Sequence, residues 1–257
     1  MKKEHKAEMK RRRRNISFTV AYDGTNYHGF QRQTNGVVAV QNVLEDAMEK
    51  VFGDSIELAA AGRTDAGVHA WGQRINFFTD GKIPAERAAM AVNSLLPADI
   101  ALRDGQEAPR DFSARHNAKS KIYTYKICMS KTRNPLVNRY SWHIPYALDL
   151  SDIKAALETI KGEHDFTSFC AAGGAKMNPV RVMYDARLKV DGEMLTITFH
   201  GNGFLYHMVR NIVGTLADVG EHRLSVADFA DILAAKDRQK ASPTAPARGL
   251  CLWEVKY

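Results

Sequence analysis

The alternation of Ile16, Phe18, Val20 and Tyr22 with Ser17, Thr19 and Ala21 constrains the fold most, because a two-residue period buries one face only as a strand. Asp23-Gly24-Thr25-Asn26 ends that strand with turn chemistry. Over 38–53, Val40, Val43, Leu44, Ala47, Met48 and Val51 recur at helical spacing. Strands are predicted at 57–63 and 73–78, and a second helix runs from Pro84, a residue suited to a first helical turn, to about Leu96. A strand at 100–103 follows. The order β-α-β-β-α-β is the ferredoxin-like pattern.

A second cycle is predicted beyond residue 115. It comprises a strand at 121–129, a helix capped by Ser151 that buries Ile153, Ala156, Leu157 and Ile160, and a hairpin of 181–190 with 195–200 across Asp191-Gly192. Leu205, Met208, Val209, Ile212, Val213 and Leu216 mark an amphipathic helix, another helix starts at Ser225, and a strand at 250–255 closes the chain. No repeat recurs at a fixed period. The expectation is an α+β protein of two ferredoxin-like (RNP-like) halves with mainly antiparallel sheets, 15–115 and 116–257. A disordered basic tail, 1–14, precedes them. Long loops at 24–36, 130–149 and 165–179 are candidate binding elements.

The formal charge of +7 is unevenly placed. Lys2, Lys3, Lys6, Lys10 and Arg11 to Arg14 against Glu4 and Glu8 give the first 14 residues +6. Within the nearly neutral remainder, Arg110, Arg115, Lys119, Lys121, Lys126, Lys131, Arg133 and Arg139 face only Asp111, a band of +7. Such a band suits nucleic acid, an anionic membrane or acidic ligands. The basic amino terminus lacks the apolar stretch and cleavage site of a secretory signal, and no apolar run of 18 residues exists to span a bilayer. Cys128, Cys170 and Cys251 are odd in number and far apart, which argues against a disulfide framework or zinc ribbon and for a reducing cytoplasm.

Three segments could carry chemistry. In Gly62-Arg63-Thr64-Asp65-Ala66-Gly67, Asp65 is either a turn residue bonded to nearby amides or an ionised carboxylate aimed into a cleft, as a nucleophile requires. In Lys121-Ile122-Tyr123-Thr124-Tyr125-Lys126, a strand places both tyrosines on one face, as core residues or as a platform for stacked bases. In Tyr206-His207-Met208-Val209-Arg210-Asn211, Arg210 borders the apolar stripe, where it either snorkels to water or meets a carboxylate. His200 and His207 are too widely spaced for a zinc motif, His69 reads as structural, and no GxSxG, GxxxxGK[ST] or GxGxxG motif occurs.

Taken in order, these segments resemble the tRNA pseudouridine synthase A family. The resemblance rests on Tyr22-Asp23-Gly24-Thr25-x-Tyr27-x-Gly29-Phe30-Gln31-x-Gln33, Gly62 to His69, and Phe112-x-Ala114-Arg115 leading to Lys121-x-Tyr123-x-Tyr125. It continues through Asn134-Pro135, Tyr140-x-Trp142-His143, His207 to Gly214, and Ala245-Pro246-Ala247-x-Gly249-Leu250, while the basic tail departs from the family. The resemblance implies a cytoplasmic homodimer, a central catalytic cleft and no metal or organic cofactor. It also implies isomerisation of uridine at positions 38, 39 and 40 of the tRNA anticodon stem-loop after base flipping. It gives Asp65 as catalytic aspartate, Tyr123 as the aromatic against the uracil, Arg210 as the basic partner of Asp65, and Arg63 as the residue that displaces the base. Arg115 and Lys121 are further candidate RNA contacts. A non-catalytic RNA-binding module and a pseudouridine synthase for other RNA sites are the alternative readings.

Overall fold

The computed structural model describes residues 11–33, 36–173 and 178–257. In chain order the elements are β1 (Arg14–Tyr22), α1 (Val40–Phe52), β2 (Ala59–Ala60), β3 (His69–Thr79), α2 (Ala85–Asn93) and β4 (Ile100–Ala108). Then come β5 (Ser120–Met129), β6 (Trp142–Ile144), α3 (Leu150–Thr159), β7 (Gly162–Asp165), β8 (Val180–Asp191), β9 (Met194–Gly201), α4 (Met208–Gly220), α5 (Val226–Ala235) and β10 (Leu250–Lys256). The chain forms two compact units, Met1–Ala118 with Leu252–Tyr257, and Lys119–Cys251. The sequence set the divide at 115/116 and gave the closing strand to the second half. In the structure most of that strand belongs with the first unit, since β10 is the neighbour of β3.

The first unit has strand order β4-β1-β3-β10, with β2 also on β3. Both β1 pairings are antiparallel, and Phe18 lies opposite Ile75 across β3. The two-residue period explains the core: Ile16, Phe18 and Val20 are fully buried, and Phe18 stacks on Phe77 with centroids 6.0 Å apart. Leu44 and Met48 supply the buried stripe of α1, which packs against α2. Strand β2 is much shorter than the predicted 57–63. After Ala61 donates to the Arg74 carbonyl at 2.9 Å, the chain leaves the ladder and Gly62 bonds a side chain instead. At the amino terminus, β1 begins within the predicted tail. Arg12 donates to the carbonyls of Ser55 and Phe78, and the Arg13 N–H reaches Asp80 Oδ1 at 2.9 Å. Residues 1–10 of that tail lie outside the described residues.

The second unit has strand order β5-β9-β8-β7, all antiparallel, with β6 parallel to β5. Leu195, Ile197 and Phe199 of β9 are fully buried. Helices α3, α4 and α5 pack on one another. Asp149, not Ser151, caps α3: its Oδ1 accepts the N–H groups of Ser151 and Asp152 at 2.9 and 3.2 Å. Helix α4 starts at Met208 rather than 205, because His207 has φ +58°, outside helical space. Short strands β6 and β7 were not anticipated. Their few residues show no usable alternation.

Helix α4 runs against the loop before β10 at very close range. A Cβ on Gly214 would lie 2.0 Å from the Pro243 carbonyl oxygen. The buried amide of Asn211 fastens the same contact, donating to the Phe169 carbonyl at 2.8 Å and accepting from Thr244 Oγ1 at 2.6 Å. Gly214→Ala is therefore expected to lower the unfolding free energy by about 1–3 kcal/mol, the usual cost of overpacking, read as a lower denaturation midpoint at unchanged m-value.

Candidate active site

The carboxylate-bearing loop is built from four neighbours in its own unit. It leaves β2 through Gly62, whose N–H donates to Gln73 Oε1 at 3.3 Å and whose carbonyl accepts from Gln73 Nε2 at 2.7 Å. Gln73 is fully buried on β3, so this pair fixes the loop just before Arg63. Thr64 is buried and its hydroxyl lies 2.7 Å from the Tyr22 hydroxyl at the end of β1. The Val68 N–H bonds the Asp65 carbonyl at 3.1 Å, which closes the turn. Asp65 itself is half-buried and Arg63 is exposed.

The segment that follows β1 lies directly on this loop. Phe30 donates its N–H to the Thr64 carbonyl at 3.1 Å, and Gly67 donates to the Tyr27 carbonyl at 3.3 Å. Gly29, between them, has φ +87°, and a Cβ there would sit 2.7 Å from the Thr64 oxygen. Only glycine meets both the backbone angle and the spacing. The same segment also caps α1, because the carbonyls of Gly29 and Phe30 accept from Val40 and Gln41 at 3.2 and 2.9 Å. The Gly24 N–H donates to His69 Nδ1 at 3.0 Å, which agrees with the structural reading of His69.

In the second unit, Tyr123 and Tyr125 lie on the buried face of β5 while Lys126 is exposed, as strand geometry requires. The two tyrosines differ in surroundings. The Tyr125 hydroxyl donates to the Pro246 carbonyl at 2.7 Å, and burial pushes its phenol far above the ordinary range. Tyr123 sits edge-on to Phe204 with centroids 5.0 Å apart. Arg210, half-buried on the first turns of α4, donates from Nε to the Ala245 carbonyl at 2.8 Å, and the Ala245 N–H returns a bond to the Arg210 carbonyl at 3.1 Å. That reciprocal pair sets the direction of the guanidinium. Arg115 is exposed, and Lys121 is half-buried at the start of β5.

Gln73, which bonds Gly62, and Glu45, which bonds Leu58 four residues earlier, were not singled out in the sequence, although both are buried polar groups. The Gln41 to Glu45 spacing on α1 was the available signal, since the two side chains bond at 2.8 Å one turn apart. Among the described residues, Asp149, Asp152 and His222 bring three potential metal-ligand atoms within 4.8 Å. They are half-buried or exposed, and the capping role of Asp149 together with ion pairs to His222 accounts for the cluster. Among the described residues, no helix is long and apolar enough to cross a membrane.

Known proteins align with this chain almost end to end. A family model described as tRNA pseudouridine synthase matches residues 19–117 and 156–257, which include Asp65 and Arg210 but not Tyr123. A tRNA pseudouridine synthase A from Caldicellulosiruptor saccharolyticus is 46% identical over 244 residues, covering 95% of this chain and 100% of the relative. One from Geobacillus kaustophilus is 47% identical over 244 residues, with 94% of each chain covered. Because the family model spans well over half of the residues and both relatives align along nearly their whole length, the chain belongs to the tRNA pseudouridine synthase family.

Proposed function

We propose that this member of the family isomerises uridine to pseudouridine at positions 38, 39 and 40 of the tRNA anticodon stem-loop, with Asp65 as nucleophile. The observation that carries the reading is the construction of the Asp65 loop. Gln73, Tyr27 and Phe30 hold its backbone and Tyr22 the Thr64 hydroxyl, while the carboxylate stays half-buried rather than sealed. Ordinary turns need no such scaffold, whereas a reacting group must be held to within fractions of an ångström.

The chemistry then follows in order. The target uridine leaves the stack, at a cost of roughly a few kcal/mol. The exposed Arg63, two residues before Asp65, is the proposed group that fills the vacated space and meets phosphate. The bond between N1 and C1′ breaks, the uracil turns, and C5 bonds to C1′. The C5 proton passes to solvent and N1 takes one up. Ionised Asp65 serves either by capturing the sugar carbon or by adding to the ring. Arg210 is the proposed basic partner of Asp65, and Tyr123 the proposed wall against the uracil and a candidate for proton transfer. No redox or phosphoryl step occurs, so the reading calls for no cofactor. The further parts of the reading are two ferredoxin-like halves, which the β4-β1-β3 order of the first unit supports, and a second copy of the chain as partner.

The exposed cations Arg115, Lys119, Lys126, Lys131, Arg133 and Arg139 support contact with tRNA phosphates. The logarithm of tRNA affinity should therefore fall linearly with the logarithm of salt concentration, and a filter-binding series at several salt levels measures the slope. Salt-independent binding contradicts this surface. The catalytic assignment is tested with unmodified tRNA tritiated at uracil C5. Wild type should release tritium, and Asp65→Asn should lose roughly a thousandfold or more of that rate while still binding tRNA. Equal release by both removes Asp65 from the mechanism, and no release by either across a tRNA pool favours a binding module. Mapping the product base tests the anticodon-arm assignment.

A further inference from the structure

We propose that Glu45 is a positioning residue for Asp65, acting through Arg32 and Leu58, the two points at which one buried carboxylate grips both segments that shape the Asp65 loop. The proposal rests on the reading of Asp65 as nucleophile. Glu45 projects from α1 with its side chain 1% exposed. Its Oε1 accepts the Leu58 N–H at 2.9 Å and Gln41 Nε2 at 2.8 Å, while Oε2 pairs with Arg32 Nη2. Gln41 reinforces the grip, since its Oε1 accepts the Arg32 N–H at 3.1 Å.

Each arm leads to the loop by a short path. Leu58 directly precedes β2, which delivers Gly62 to Gln73 and then Arg63 to Asp65. Arg32 lies two residues after Phe30, whose N–H holds the Thr64 carbonyl. Releasing Glu45 therefore frees the entry to the loop and its overlay together.

A carboxylate is a poor choice here for stability alone. Burial raises the Glu45 carboxyl above the ordinary range and neighbouring Glu57 adds to the rise, although the Leu58 N–H, Gln41 and Arg32 oppose it. Glu45 is buried while its counter-ion Arg32 is half exposed, so the desolvation of the carboxylate is only partly repaid by charge, and the position it fixes explains it better. Glu49, one turn further along α1, provides the comparison. It accepts the Ile56 N–H at 2.9 Å, the same kind of contact to the stretch before β2, and among the described residues it has no bond to the Arg32 segment.

The test uses the full chain and tritium release from saturating tRNA, with tRNA affinity and melting temperature measured beside it, on Glu45→Gln, Arg32→Gln, Glu49→Gln and Asp65→Asn. Glu45→Gln and Arg32→Gln should each slow release by roughly ten- to a hundredfold with tRNA affinity unchanged, as expected when a reacting group is misplaced by about an ångström. The double variant should be little slower than the worse single one, because both changes break one interaction. Glu49→Gln should lower melting temperature without slowing release. The proposal is overturned if folded Glu45→Gln or folded Arg32→Gln keeps the wild-type rate, if the loss lies wholly in tRNA affinity, or if Glu49→Gln slows release as much. Should Glu45→Gln fail to fold, Arg32→Gln decides alone, since the Arg32 side chain is half exposed and its loss leaves the bonds of Glu45 to Leu58 and Gln41 in place. Activity retained by Asp65→Asn sinks the nucleophile reading itself. An inactive Asp65→Asn beside a fully active Arg32→Gln sinks only the role of Glu45.

Discussion

The first turn of α1 leaves N–H groups that no helical carbonyl can accept, and the carbonyls of Gly29 and Phe30 take two of them. Much of the first unit's chemistry depends on that cap. With their oxygens engaged by α1, the same residues present N–H and Cα surfaces to the Thr64 carbonyl, and the Asp65 loop settles against them. A helix that packs for ordinary apolar reasons thereby sets the height of a carboxylate more than ten residues beyond its own end. The cap replaces the Ser, Thr or Asp that helices usually carry at this point, since Ala39 precedes Val40.

The second unit applies a different device to the same end. Helix α4 approaches the Pro243 to Ala245 stretch until backbone meets backbone, which Gly214 allows by having no side chain. Buried Asn211 satisfies Phe169, Thr244 and Arg238 at once, so the approach cannot slide without stranding polar atoms. Arg210, one residue earlier, inherits that rigidity through its bonds with Ala245. His207, at the head of the helix, is one of four non-glycine residues with positive φ among the described residues.

In both units the glycines, buried amides and short loops act as frames for a few neighbouring side chains. The proposed site residues Asp65 and Arg210 are two, but each sits in a local frame that occupies far more of the chain than the side chain itself. Catalysis by position asks for such frames because angular and distance errors enter the rate exponentially.

Strand β1, the stripe of α1, the hairpin of β8 with β9 and the apolar face of α4 were legible in the sequence, since each buries a face at its own period and the hydrophobic effect leaves little choice. The sequence also carried the family, because the Gly62 to His69 and His207 to Gly214 blocks stand in order with the other matching blocks, and the family model and the relatives agree. Period and motif could not give the truncation of β2, the true cap of α3, the delayed start of α4 or the membership of the last strand. Those depend on whether a particular N–H finds a ladder carbonyl, a side chain or a capping oxygen, and the partners lie far away in sequence. Gln73 and Glu45 belong to the same class. A polar residue on a buried face looks like a misfit until tertiary structure brings Gly62, Leu58 and Arg32 to it, and only then does its desolvation have a compensating partner.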